Sequence, residues 1–127
     1  MDNKSQNIEE DETLKKIPKS CRGGDCYCAS GSYLMDNALK QPNLILVHGE
    51  VTGQGRIAGI KFGHAWIEDG EMVIDVSKGK KLELPKVFHY ALGQIDESKL
   101  FKYNLEQMRE KVLETGQWGP WDLITKY

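Results

Sequence analysis

The sequence predicts an α+β fold: a helix near the N-terminus that bears a cysteine, packed on a four- to five-stranded antiparallel sheet, with a C-terminal helix. Three observations carry this. Between Asp25 and Lys40, Ala29, Tyr33, Leu34 and Ala38 recur at helical spacing. The stretches on either side of Asp69-Gly70 are short and rich in strand-forming residues, and Asp-Gly favours a tight hairpin turn. Asn104, followed three residues later by Gln107, opens a second helical stretch that stops before Gly116.

Residues 1–18 are polar, charged and free of aromatic side chains, which predicts a flexible tail ahead of a single domain over residues 19–127. Asp25 is placed to cap the first helix, so Cys26 opens it. Leu44 to Val51 reads as a buried strand. The segment Thr52 to Gly59 holds Gly53, Gly55 and Gly59; their spacing misses the dinucleotide fingerprint, and the expectation is a mobile loop beside the site. His64 to Glu68 and Glu71 to Val76 read as the hairpin, and Lys81 to Leu84 and Lys99 to Tyr103 as two further short strands. In the last helix Leu105, Met108 and Val112 face the core. The closing Trp118-Gly119-Pro120-Trp121 is too aromatic and rigid for a loose tail and is expected to pack back on the domain.

A net charge of -2 with 28% charged residues of mixed sign gives no basic face, so nucleic acid is not an expected partner. No apolar run approaches the roughly 20 residues that span a bilayer, and the N-terminus lacks a signal core; no membrane partner is expected and the location expected is cytoplasmic. Cys21, Cys26 and Cys28 do not make a disulfide framework, and a reducing compartment leaves them as thiols. Zinc held by these cysteines with His48, His64 or His89 lacks a Cys-x-x-Cys hook, so no metal or other cofactor is expected.

A two-residue turn at Asp69-Gly70 pairs Glu68 with Glu71 and sets His64 opposite Asp75, with Trp66 and Val73 on the same face. A neighbouring carboxylate fixes an imidazole's tautomer and orientation, and the positive end of a helix favours a thiolate. Cys26 is therefore the expected nucleophile, His64 its base and Asp75 the group that orients His64. A structural cross-strand contact is the plain alternative for the His64-Asp75 pair, as is an inert core thiol for Cys26. Cys28 points to another side of the helix and is the second candidate nucleophile; His48, with no carboxylate at a fixed position, reads as structural.

Gly63-His64-Ala65-Trp66-Ile67-Glu68, followed by Val73-Ile74-Asp75-Val76, together with Gly24-Asp25-Cys26-Tyr27, resembles the papain-like and transglutaminase-like cysteine enzymes, in which a helix-opening Cys, a strand His and an Asp or Asn follow in that order. The chain also resembles small bacteriophage-encoded proteins. The resemblance spans roughly residues 22 to 78, and Val76-Ser77 stands where the family often has proline. It implies a minimal papain-like or transglutaminase-like core and acyl transfer on an amide or isopeptide bond of a protein or peptide, as a peptidase, amidase or transferase. The catalytic residues are then Cys26, His64 and Asp75, the oxyanion donor the Cys26 N–H, and the substrate-binding residues Tyr27, Gly63 and Trp66. A non-catalytic binding or inhibitor protein on the same fold is the alternative, and a small zinc module a second.

Overall fold

The computed structural model describes residues 25–124; the tail expected over residues 1–18, and Cys21, lie outside the described residues. The fold is α+β. Helix α1 is Cys26–Asn37, α2 is Lys86–Gly93 and α3 is Leu105–Thr115. Strands β1 (Leu44–Thr52), β2 (Lys61–Asp69), β3 (Met72–Asp75), β4 (Leu82–Pro85) and β5 (Phe101–Tyr103) form one antiparallel sheet in the order β4-β3-β2-β1-β5.

Local chemistry accounts for the helix ends. The Asp25 carboxylate accepts the Cys28 N–H at 3.0 Å, so α1 begins at Cys26. It stops at Asn37, earlier than the apolar spacing suggests, and the Asn37 side-chain amide folds back to donate to the Tyr33 carbonyl at 2.8 Å. Asn104 and Gln107 satisfy each other's backbone N–H groups in a full capping box, and Gly116 closes α3 in the left-handed conformation at φ 72°.

Strand alternation separates two cores. On one face Leu44, Leu46, Ile67 and Ile74 meet Ala29, Tyr33 and Leu34 of α1 and Met108 of α3, with Trp118 and Trp121 packed against them. The C-terminal tryptophans therefore do return to the domain. On the other face Val47, Trp66 and Val73 pack with Tyr90 of α2. The helix at 86–93 is not among the elements expected from the sequence. Helix α3 joins α1 on one face of the sheet, and α2 covers the opposite face.

The hairpin differs from its expected register by two residues. Glu68 pairs with Val73 and Asp69 with Met72, so the loop is Gly70-Glu71, with Gly70 at φ 62°. A positive φ at the first of two loop residues is the type II′ position that glycine fills. Because side chains alternate with period two, this shift keeps His64 and Asp75 on one face and makes them diagonal neighbours.

Candidate active site

Three elements converge on His64. β3 pairs with β2 only over Ile67 to Asp69, so the edge of β2 at His64 has no β3 neighbour. Two residues beyond Asp75, Ser77 turns back on it: its N–H and its hydroxyl both donate to Asp75 Oδ1, at 2.9 and 2.7 Å. This is the short-range turn that Asp and Ser favour. The other carboxylate oxygen, Oδ2, lies 2.8 Å from His64 Nε2.

The third element is α1. Ser30 donates its hydroxyl to the Ala65 carbonyl at 3.2 Å, in a fully buried contact. Cys26 lies four residues before Ser30 on the same helix face, and Ala65 directly follows His64. The Ser30 bond therefore sets the N-terminus of α1 beside His64, and the Cys26 side chain lies near enough to the His64 imidazole to help raise its pKa. With Nε2 engaged by Asp75, Nδ1 is the nitrogen left for the thiol. Helix geometry also leaves the Cys26 N–H without an intrahelical acceptor.

Burial disfavours a charged imidazole here, but the hydrogen bonds and charges of Asp75 and Cys26 outweigh it and raise the His64 pKa to about 9. Burial likewise opposes the Asp75 carboxylate, and the bonds from His64 and Ser77 overcome it and hold Asp75 well below the usual carboxylate range. His64 and Asp75 remain slightly accessible, with side chains 16% and 14% exposed.

The cysteines differ in state. Cys26 carries a free thiol and is buried, whereas Cys28 is disulfide-bonded. This corrects the expectation that all the cysteines remain thiols, and it removes Cys28 as a nucleophile. Among the described residues no group of three His, Cys, Asp or Glu side chains could hold a metal ion.

A cleft of about 590 Å³ opens beside the pair, lined by His64 and Asp75, by the glycine loop at Gly53 and Gln54, by the loop after β3, and by α2. That lies within the roughly 300–1,000 Å³ usual for ligand sites. Cys26 does not line it, so His64 is the group shared by thiol and cleft. The glycine loop does border the site, and it contains a short 3-10 turn, Gly55–Ile57. Its Gln54 amide donates to the Leu92 carbonyl of α2 at 2.7 Å.

None of the three expected substrate-binding residues lines this cleft. Trp66 is wholly buried beneath the site, with His64 stacked at 6.0 Å and His89 at 4.7 Å between ring centres. Its indole N–H donates to Glu68 at 3.0 Å, and Glu68 also accepts from the Tyr90 hydroxyl and lies 3.6 Å from both Lys86 and Lys102. This buried carboxylate pins Trp66 and α2 together. Tyr27 packs edge-on against His48 at 4.9 Å, and Gly63 pairs with Glu50 of β1; neither lines the cleft.

Ser30, Ser77 and His89 were missed in the sequence. Asp-x-Ser was a readable signal for Ser77, and the four-residue spacing from Cys26 was one for Ser30. His89 lines the cleft only because α2 exists, and Pro85 ahead of a helical stretch was its signal. A scan against protein-family models, a search of curated proteins and a search of solved structures returned no match to this chain.

Proposed function

We propose that this chain is a cysteine-nucleophile enzyme of the papain-like and transglutaminase-like kind, acting by acyl transfer on an amide or isopeptide bond of a protein or peptide. The observation that carries the proposal is His64 held between the Asp75 carboxylate on one side and the Cys26 thiol at a helix N-terminus on the other. A protonated imidazole beside a thiol is the arrangement that favours a thiolate, and the helix end adds to it.

In the proposed reaction the Cys26 sulfur attacks the carbonyl carbon, and the resulting oxyanion accepts from the Cys26 N–H. The C–N bond then breaks as His64 gives its proton to the departing amine, leaving a thioester on Cys26. Water or an amine attacks that thioester and passes a proton to His64; the C–S bond breaks, releasing the carboxylic acid or the new amide and restoring the Cys26 thiolate beside the protonated imidazole. Asp75 holds the ring in place throughout.

The test is iodoacetamide labelling with mass mapping, in the parent and in Cys26→Ala, His64→Ala and Asp75→Ala variants, followed by a screen of fluorogenic peptides and isopeptides. Rapid labelling confined to Cys26, slowed at least tenfold by His64→Ala, is expected. Equal labelling in parent and His64→Ala refutes the assignment. Reducing the protein first should add Cys28 to the labelled residues.

A binding or inhibitor protein on this fold is the second reading, favoured by the exposed Val87 and Phe88 of α2, 69% and 60% exposed. It is distinguished by a function that survives Cys26→Ala. Cytoplasmic action belongs to the same proposal, although disulfides such as that of Cys28 persist mainly in oxidising compartments. Cell fractionation decides it. Among the described residues no helix is long and apolar enough to cross a membrane.

A further inference from the structure

The cleft lining divides by chemistry. Its walls are apolar, with Phe62 from β2, Leu84 from β4 and Leu92 from α2. The charge comes from the loop after β3, where Lys78, Lys80 and Lys81 line it. Neither Lys78 nor Lys80 makes an ion pair with another described residue, whereas Lys81 lies 3.3 Å from Glu83. Asp75 is the one acidic side chain that lines the cleft among the described residues, and both of its oxygens are already engaged by His64 and Ser77. A chain of net charge -2 therefore presents a locally basic margin beside an apolar trough and next to the proposed catalytic imidazole.

We propose, resting on the cysteine-enzyme reading, that the cleft selects a peptide segment beside the reacting amide that carries an apolar side chain adjacent to an acidic one. The apolar side chain lies against Phe62, Leu84 and Leu92, where removing it from water drives binding. The carboxylate faces Lys78 and Lys80. These lysines are exposed, so their share is modest and salt-sensitive.

Binding is measured on the full-length Cys26→Ala chain, which separates recognition from catalysis. The probes are four fluorescein-labelled hexapeptides of glycine and alanine, with Leu-Asp, Leu-Lys, Ser-Asp or Ser-Lys at the two central positions. Fluorescence polarisation at low salt should give the tightest Kd for Leu-Asp. Leu-Lys should bind roughly three- to tenfold more weakly, and Ser-Asp about tenfold or more. The double change Lys78→Glu, Lys80→Glu, with circular dichroism confirming the fold, should reverse the order of Leu-Asp and Leu-Lys. Equal affinity for these two peptides, indifference to the lysine changes, or no binding of any peptide overturns the proposal. If the ordering holds while Cys26 labelling in the parent is independent of His64, the catalytic reading fails and the cleft stands as a recognition site. If labelling depends on His64 and the ordering is absent, the selectivity alone fails.

Discussion

Ser30 donates to the backbone carbonyl of Ala65, and this buried bond sets where α1 lies along β2. One turn of helix from Ser30 is Cys26, and one residue of strand from Ala65 is His64. Ser30→Ala should cost about 1 kcal/mol of stability, the usual worth of such a bond. The more telling effect is on geometry: the rate of Cys26 alkylation should fall toward that of the His64→Ala variant. Urea unfolding and timed mass mapping measure the two effects separately.

Ser77 holds Asp75 through two hydrogen bonds, so Ser77→Ala should raise the Asp75 pKa from its depressed value toward the ordinary range. A carboxylate depressed in the folded state contributes stability above its unfolded pKa, and loses it as pH falls through the folded one. The variant should therefore lose less stability between about pH 4 and 2 than the parent, from a lower starting point. Carboxyl chemical shifts followed by NMR, with acid unfolding curves, check both parts.

His48 titrates the other way. It is wholly buried among Tyr27, Tyr103 and Trp121, neither ring nitrogen has a hydrogen-bond partner, and burial lowers its pKa to about 4. The unfolded chain binds the proton more readily, so stability is lost as pH falls from 6.5 through about 4. That interval corresponds to about 3 kcal/mol. His48→Phe should flatten this limb of the stability profile, measured by thermal unfolding from pH 7 to pH 4; an unchanged slope would refute the assignment.

Raised in the folded state, His64 makes a contribution that is complete below pH 6.5 and fades as pH rises through about 9. His64→Gln should remove this alkaline limb while leaving the acid limb set by His48. Unfolding curves between pH 7 and pH 10 show whether it does.

Gly49 of β1 faces Trp66, and a Cβ there would collide with the Leu100 side chain and come within 3.1 Å of the indole. Gly49→Ala should cost about 1–3 kcal/mol through overpacking and displace the ring on which His64 and His89 rest. A shift in tryptophan emission together with slower Cys26 labelling is expected; lost stability with unchanged labelling would assign the glycine to packing alone.

Much of the architecture was legible because its signals are local. The Asp25 cap, the Asn104 and Gln107 box and the Gly116 stop each lie within a few residues of what they control. The His64 and Asp75 pairing was legible for a different reason: the turn falls one residue later than expected, which shifts the register by two, and strand periodicity forgives an even shift where an odd one would have sent Asp75 to the α1 side. Helix α2 was not read, although Pro85 precedes it, because it is only eight residues long and its apolar side chains lie all along it while Tyr90 alone is buried, so their spacing marks no core face. Its position depends on Glu68, whose partners are spread from Trp66 to Lys102. Burial of a charge with dispersed partners is a tertiary property, and sequence spacing carries no record of it.

The separation of the Cys26 thiol from the cleft bears on how the proposed enzyme would be inhibited. A reversible molecule filling the trough would compete for the imidazole and leave the sulfur unmasked, whereas a small electrophile could cap the sulfur with the trough still vacant. Two inhibitors of different chemistry would thus exclude each other only as far as both need His64, and joining them through a short tether across that ring would combine their selectivities in one compound.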